Sequence, residues 1–331
     1  LMEQYGTDGV RVGMLLSSPA GNDLMFDVSY CEQGRNFANK IWNAFRLVKG
    51  WETTDAPATD AQKRAAEWFE NRFNQAVAEI DEHFANYRLS DALMATYKLI
   101  WDDFCAWYLE LVKPAYQTPI EAETLETVKA LFLKVLALAH PFMPFLTEEL
   151  YHDEIFGERT EKDCIIVAEY PKVVAFEEQI IKEFAAVQQI ISEVRNVRNS
   201  KGMSPKTALP LAINAADVDF TKYQESIIKL ANISELTFVK EKVTGALSFL
   251  AGKSECYIQL AAENIDVEAE KERITKEIEY LKGFLVSVDK KLSNERFVQN
   301  AKSEIIENER NKKADAEAKI SILEESLANL G

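Results

Sequence analysis

The chain has 331 residues, 47% of them hydrophobic, which is enough apolar surface for two or three packed domains and excludes a disordered chain. Its formal net charge of −16 excludes a general nucleic-acid binder, because long-range repulsion opposes a phosphate backbone. Every long apolar run is broken by a charge, no signal peptide is visible, and the four cysteines (Cys31, Cys105, Cys164 and Cys256) include no pair at zinc-ligand or redox spacing. Reduced thiols, no metal site, no membrane span and a cytoplasmic location are expected. Any RNA binding must come from local basic patches and must weaken with salt. The chain opens at Leu1 in mid-pattern, as a piece of a longer protein would.

Residues 5–16 read as a short helix, followed by a loop with the turn signals Ser-Pro and Gly-Asn. Asp27 or Ser29 can cap the next helix. Winding residues 35–49 at about 100° per residue sorts them into two faces. Phe37, Ala38, Ile41, Ala44, Phe45 and Val48 form the apolar one; Arg35, Asn36, Asn39, Lys40, Asn43 and Arg46 form the other. The second face holds no carboxylate, whereas ordinary solvated faces mix signs. Cations suit phosphates, and amides suit base edges. A surface helix with a chance run of charge remains the competing reading.

A linker at residues 52–59 leads to a long helix capped by Thr59 or Asp60, with Trp68, Phe69, Phe73, Val77, Ile80 and Phe84 at helical spacing. Ser90 or Asp91 is expected to start another, and Pro114 and Pro119 punctuate its end. Residues 121–140 form a third long amphipathic helix, stopped by Pro141. Four long helices with short connections predict an antiparallel bundle, with the aromatic stripes in its core. Pro141 and Pro144 predict an extended segment, and Thr147 is expected to cap a helix whose first turn carries Glu148 and Glu149. Adjacent glutamates on a helix point about 100° apart, so these two are read as helix-start electrostatics and not as an acid–base pair.

Residues 177–199 predict a helix ending in Arg195, Arg198 and Lys201, a candidate basic patch. A strand at 209–214, a helix at 220–231 and strands at 235–239, 247–250 and 256–260 predict a small α+β subdomain. In the last segment Val267, Ile274, Ile278, Leu281, Leu285, Val288 and Leu292 hold heptad positions, and Ile306, Ala316, Ile320, Leu323, Leu327 and Leu330 continue the register on a second helix. Two such helices make an antiparallel coiled-coil hairpin about 40 Å long. Lys290, Lys291, Arg296 and Lys302 sit near its tip, while Glu309 and Lys313 weaken its seam. Read alone, a solvated charged hairpin is the competing reading there.

These segments resemble the valyl-tRNA synthetases. Tyr5-Gly6-Thr7-Asp8-Gly9-Val10-Arg11 and Asn22-Asp23-Leu24-Met25-Phe26-Asp27 look like the stretch that follows their catalytic core. Arg35-Asn36-Phe37-Ala38-Asn39-Lys40 resembles the start of their anticodon-binding domain, and the segment from His140 to Leu150 recurs in the valine, isoleucine, leucine and methionine enzymes. Lys291-Leu292-Ser293-Asn294-Glu295-Arg296-Phe297-Val298 is typical of the hairpin turn in bacterial-type valyl enzymes. The resemblance implies residues 1–30 as the end of the catalytic-core connection, 31–176 as the helical-bundle anticodon-binding domain, 177–262 as the α+β subdomain and 263–331 as a coiled-coil tRNA-binding arm.

It also implies a valine-accepting tRNA as partner, no DNA, no membrane and a monomer. The family enzyme uses ATP and Mg²⁺, but its nucleotide-binding motifs and editing site lie upstream of this chain, so neither a catalytic residue nor a cofactor site is expected here. Lys201-Gly202-Met203-Ser204-Pro205 looks like the family's ATP loop only superficially, because it follows the bundle. The implied tRNA contacts are the Arg35–Arg46 face, with Lys290, Lys291, Arg296 and Lys302 on the arm and Arg195, Arg198 and Lys201 as a further patch. An isoleucyl- or leucyl-tRNA synthetase piece and a helical coiled-coil adaptor are the alternatives.

Overall fold

The computed structural model of the chain describes residues 1–18, 21, 23, 25–160, 162–260, 267–294 and 303–329. The architecture is mainly α and divides within one helix into two units, Leu1–Phe184 and Ala185–Gly331. The first unit contains a one-turn helix Met2–Tyr5, then α1 (Thr7–Leu16), α2 (Val28–Lys49), α3 (Asp60–Ala85) and α4 (Leu89–Lys98). α4 runs on through a π-helical stretch, Leu99–Tyr108, into a last turn, Leu109–Val112; α5 (Ala122–Ala139) and α6 (Pro144–Tyr151) follow. Trp68, Phe69, Phe104, Tyr108 and Phe132 are buried at its centre. Phe69 lies 5.2 Å from Phe104 and 4.9 Å from Tyr108 between ring centroids, so α3 and the π-helical stretch interlock through aromatic rings.

Local sequence sets two helix starts directly. Asp27 caps α2 by accepting a hydrogen bond from the Ser29 N–H, and Thr59 and Gln62 form a reciprocal capping box at the start of α3. Two starts differ from expectation. α4 begins at Leu89 without a side-chain cap, and the Ser90 hydroxyl instead reaches the carbonyls of Leu15 and Ser18, tying α4 to the end of α1. α6 begins at Pro144, not after Thr147. Proline's missing N–H costs nothing at the first helical position, and its fixed φ suits it. Asp8 of α1 supplies the cap, accepting from the N–H groups of Leu146 (2.7 Å) and Phe145 (3.4 Å).

Thr147 therefore sits inside α6, donating to the Met143 carbonyl at 2.8 Å and lying 2.7 Å from His140 Nδ1. The segment before it is a turn and not an extended strand, with Phe142 and Met143 both donating to the Ala139 carbonyl. No acidic residue lies in the first turn of α6. Glu148 bonds His152 and the Ile165 backbone instead of complementing the helix start.

α7 (Glu178–Ser200) carries the chain into the second unit. There β1 (Leu209–Asn214), β2 (Ile233–Phe238), β3 (Leu247–Ala251) and β4 (Ser254–Ile258) form a sheet of order β2-β1-β4-β3. β1 is parallel to β2 and antiparallel to β4, and β3 is antiparallel to β4. The parallel pair needs a crossover, which the 3-10 turn Phe220–Tyr223 and α8 (Gln224–Ala231) provide. α9 (Val267–Leu292) and α10 (Ser303–Asn329) form the hairpin, with Ile274, Ile278 and Ile320 buried against Leu281, Leu285, Leu323 and Leu327. Among the described residues no helix is long and apolar enough to cross a membrane.

Candidate nucleic-acid interface

α2 owes its orientation to glycine. A Cβ on Gly13 would stand 2.7 Å from the Cys31 backbone nitrogen, and one on Gly34 would stand 2.5 Å from the Gly9 carbonyl oxygen, so α1 and α2 cross backbone to backbone. Cys31, Phe37, Ile41, Ala44, Phe45 and Val48 are buried, which turns the opposite side outward. Asn36, Asn39, Asn43 and Arg46 are exposed along that side, and among the described residues none of the four has a side-chain partner. The free amides present paired donors and acceptors, and Arg46 presents an uncompensated guanidinium.

The two remaining cations of the face are only half exposed. The Arg35 guanidinium lies 5.5 Å from the Tyr5 ring centre and 3.4 Å from Glu32. Glu32 corrects the expectation of an acid-free face: it precedes the stretch 35–49 on the same helix and places a carboxylate one turn below Arg35. Lys40 lies over the Trp101 ring at 5.3 Å, and Trp101 stacks on Tyr97 at 5.4 Å and 13°. Lys49, at the end of the same helix, is 2.7 Å from Asp153, whose hydrogen bond raises the ammonium pKa.

Two aromatic residues border the face that the sequence reading did not assign to it. Trp42, 41% exposed, lies seven residues after Arg35 and so on its side of the helix, a signal that was available. Trp101 belongs to another helix, and no spacing in the sequence announces it. Partly exposed rings beside amides and cations are the equipment of a surface that stacks and reads unpaired bases.

Of the arm residues, Arg296 and Lys302 lie outside the described residues. Lys290 is exposed and, among the described residues, has no ion-pair partner. Lys291 is 3.3 Å from Glu309, which is also 2.8 Å from Lys312. These contacts hold the Glu309 carboxyl below its ordinary pKa, the Lys312 bond first, and explain how an acid sits buried in the seam.

In the patch expected at the end of α7, Arg195 is exposed, and Arg198 is the member that is corrected. Arg198 is 3% exposed, and its guanidinium donates to the carbonyls of Thr207 (2.8 Å) and Asn232 (2.7 Å). It ties the strand β1 and the left-handed cap of α8 to α7 and has no face left for a phosphate. Arg195 donates to the Leu230 carbonyl at 2.9 Å, and Lys201 is half buried.

Residues 66–213 match the family described as the anticodon-binding domain of tRNA ligase, and residues 266–331 match the valyl tRNA synthetase tRNA binding arm. Over its whole length the chain is 50% identical to the valine–tRNA ligase of Christiangramia forsetii and 46% identical to that of Parabacteroides distasonis. Over 99% of its length it is 32% identical to the valine–tRNA ligase of Dechloromonas aromatica. It spans 37% of the length of each of these relatives. All three are valine enzymes, which disfavours the isoleucine, leucine and adaptor alternatives. With both regional matches and full-length identity pointing the same way, the chain belongs to the valyl-tRNA synthetase family and carries its anticodon-binding and tRNA-binding-arm regions.

Proposed function

We propose that this chain is the tRNA-holding portion of a cytoplasmic valine–tRNA ligase, which attaches valine to its cognate tRNA with ATP and Mg²⁺. In this reading residues 31–176 receive the anticodon stem-loop, residues 263–331 form the arm that leans on the tRNA body, and catalysis and editing belong to the remainder of the enzyme. The chain binds one tRNA as a monomer. Asn36, Asn39 and Asn43 address base edges, Arg46 addresses phosphate, and Arg35 and Lys40 add charge from positions already braced by rings. Lys290 is an exposed arm cation for the backbone.

The observation that carries this reading is the row of four exposed polar side chains on α2 that have no partner among the described residues, in a chain of net charge −16. The test measures binding of the chain to a valine tRNA transcript, and to the same transcript with a changed anticodon, at two salt concentrations. Preference for the intact anticodon, with affinity falling as salt rises, is the expected result. Equal affinity for both transcripts would remove α2 as the reader.

A further inference from the structure

Between α6 and α7, the described residues of 152–177 contain only two one-turn 3-10 helices, Glu154–Phe156 and Ile165–Val167. A segment this long without regular structure needs other fastenings to stay packed. Some are visible: Arg159 donates to the Tyr151 carbonyl at 2.9 Å and lies over its ring at 3.7 Å. The Ile165 N–H lies 3.2 Å from both carboxylate oxygens of Glu148. At that point three side chains of metal-ligating type converge. Glu148 of α6 and His152, which caps the end of that helix, are 2.9 Å from each other, and Cys164 precedes the second 3-10 turn. One donor atom from each of the three lies within 4.8 Å of the others.

We propose that Glu148, His152 and Cys164 form a zinc site that staples this segment to α6. The donor set is a thiolate, an imidazole and a carboxylate, which suits Zn²⁺; Mg²⁺ and Ca²⁺ want oxygen alone. Zinc bond lengths place tetrahedral donors roughly 3.3–3.8 Å apart, so small side-chain rotations close the cluster around an ion. Of the four cysteines, Cys164 alone is not buried. Burial raises the thiol pKa of Cys31, Cys105 and Cys256, which disfavours the thiolate that zinc needs. The fourth position falls to water. Binding replaces the Cys164 thiol proton by the metal and releases that proton to solvent, so affinity rises with pH.

The staple has a structural consequence. Asp153, next to His152, accepts from Lys49 at the end of α2, and Phe156 packs on Phe45 of the same helix at 6.1 Å. Ordering this segment therefore steadies the end of α2. The inference does not depend on the tRNA reading.

The test uses the full chain stripped with a chelator. Titration with Zn²⁺ against a chromophoric competitor is expected to give one equivalent bound. Co²⁺ is expected to give a thiolate charge-transfer band in the near ultraviolet. Cys164→Ser and His152→Gln should each weaken Zn²⁺ binding by about tenfold or more, because even outer-shell changes cost that much. His83→Gln, remote from the cluster, should leave it unchanged. Absence of the Co²⁺–thiolate band in the unaltered chain overturns the proposal, whether or not the variants fold. Unchanged Zn²⁺ affinity in a folded Cys164→Ser chain overturns it as well.

Discussion

Arg46 stands in the open with no partner among the described residues, so its removal tests charge alone. Arg46→Ala is expected to weaken tRNA binding and to lower the slope of log affinity against log salt by about one, with the melting curve unchanged. A binding isotherm superimposable on that of the unaltered chain counts against the face. Its position was readable from the 100° rule applied to residues 35–49, because a single helix needs no partner to define its two sides. Asp103 is a different case. Burial pushes its carboxyl up to about 6, against the pull of Arg72, whose Nε lies 2.9 Å away. The native state thus holds this proton more tightly than the unfolded chain. Asp103's contribution favours folding most below about pH 4 and is lost as pH rises through 6. Carboxyl NMR titration should place the midpoint near 6, and Arg72→Gln should move it higher; a midpoint near 4 refutes the assignment.

Elements show where a local rule meets a competing one. The capping box at Thr59 and the cap at Asp27 lie within three residues of the groups they satisfy, so sequence suffices for them. α6 is capped by Asp8, some 137 residues away in the chain from Phe145, and Thr147 was free to serve the helix interior. Glu309 shows the same tension inside the arm. The heptad register makes it a seam position, and two lysines make that position tolerable. A seam charge held by exposed partners adds little stability, so Glu309→Leu is expected to raise the melting transition of the hairpin. Thermal melting followed by circular dichroism checks this, and a lowered transition would mean that the lysine contacts set the register.

At the scale of the whole molecule, a net charge of −16 coexists with a row of free amides and a cation on α2. Salt screens the long-range repulsion and the local attraction alike, so the fall of affinity with salt is set by the few cations that meet phosphate. The arm lies wholly in the second unit, so its loss leaves every residue of the first in place. Removing residues 263–331 is expected to weaken tRNA binding while the melting transition of the first unit persists. Calorimetry of the shortened chain decides: loss of that transition makes the arm a brace and not a holder of RNA.

Periodicity determined a great deal here by itself. The helices of the bundle, the alternation of β1 and the heptads of the arm are all repeats of apolar residues at fixed spacing, and burial of one face is the dominant local force. The two sides of α2 followed from the same repeat. What tertiary structure alone decided are pairings between residues remote in the chain. It put Arg198 beneath β1, Lys40 on Trp101 and Asp8 on the start of α6. It also gathered Cys164 to Glu148 and His152, an encounter to which no cysteine spacing points. A buried charge or an unsatisfied N–H is settled by whichever partner the packing brings within hydrogen-bonding distance, and that distance is a property of the fold, not of the spacing along the chain.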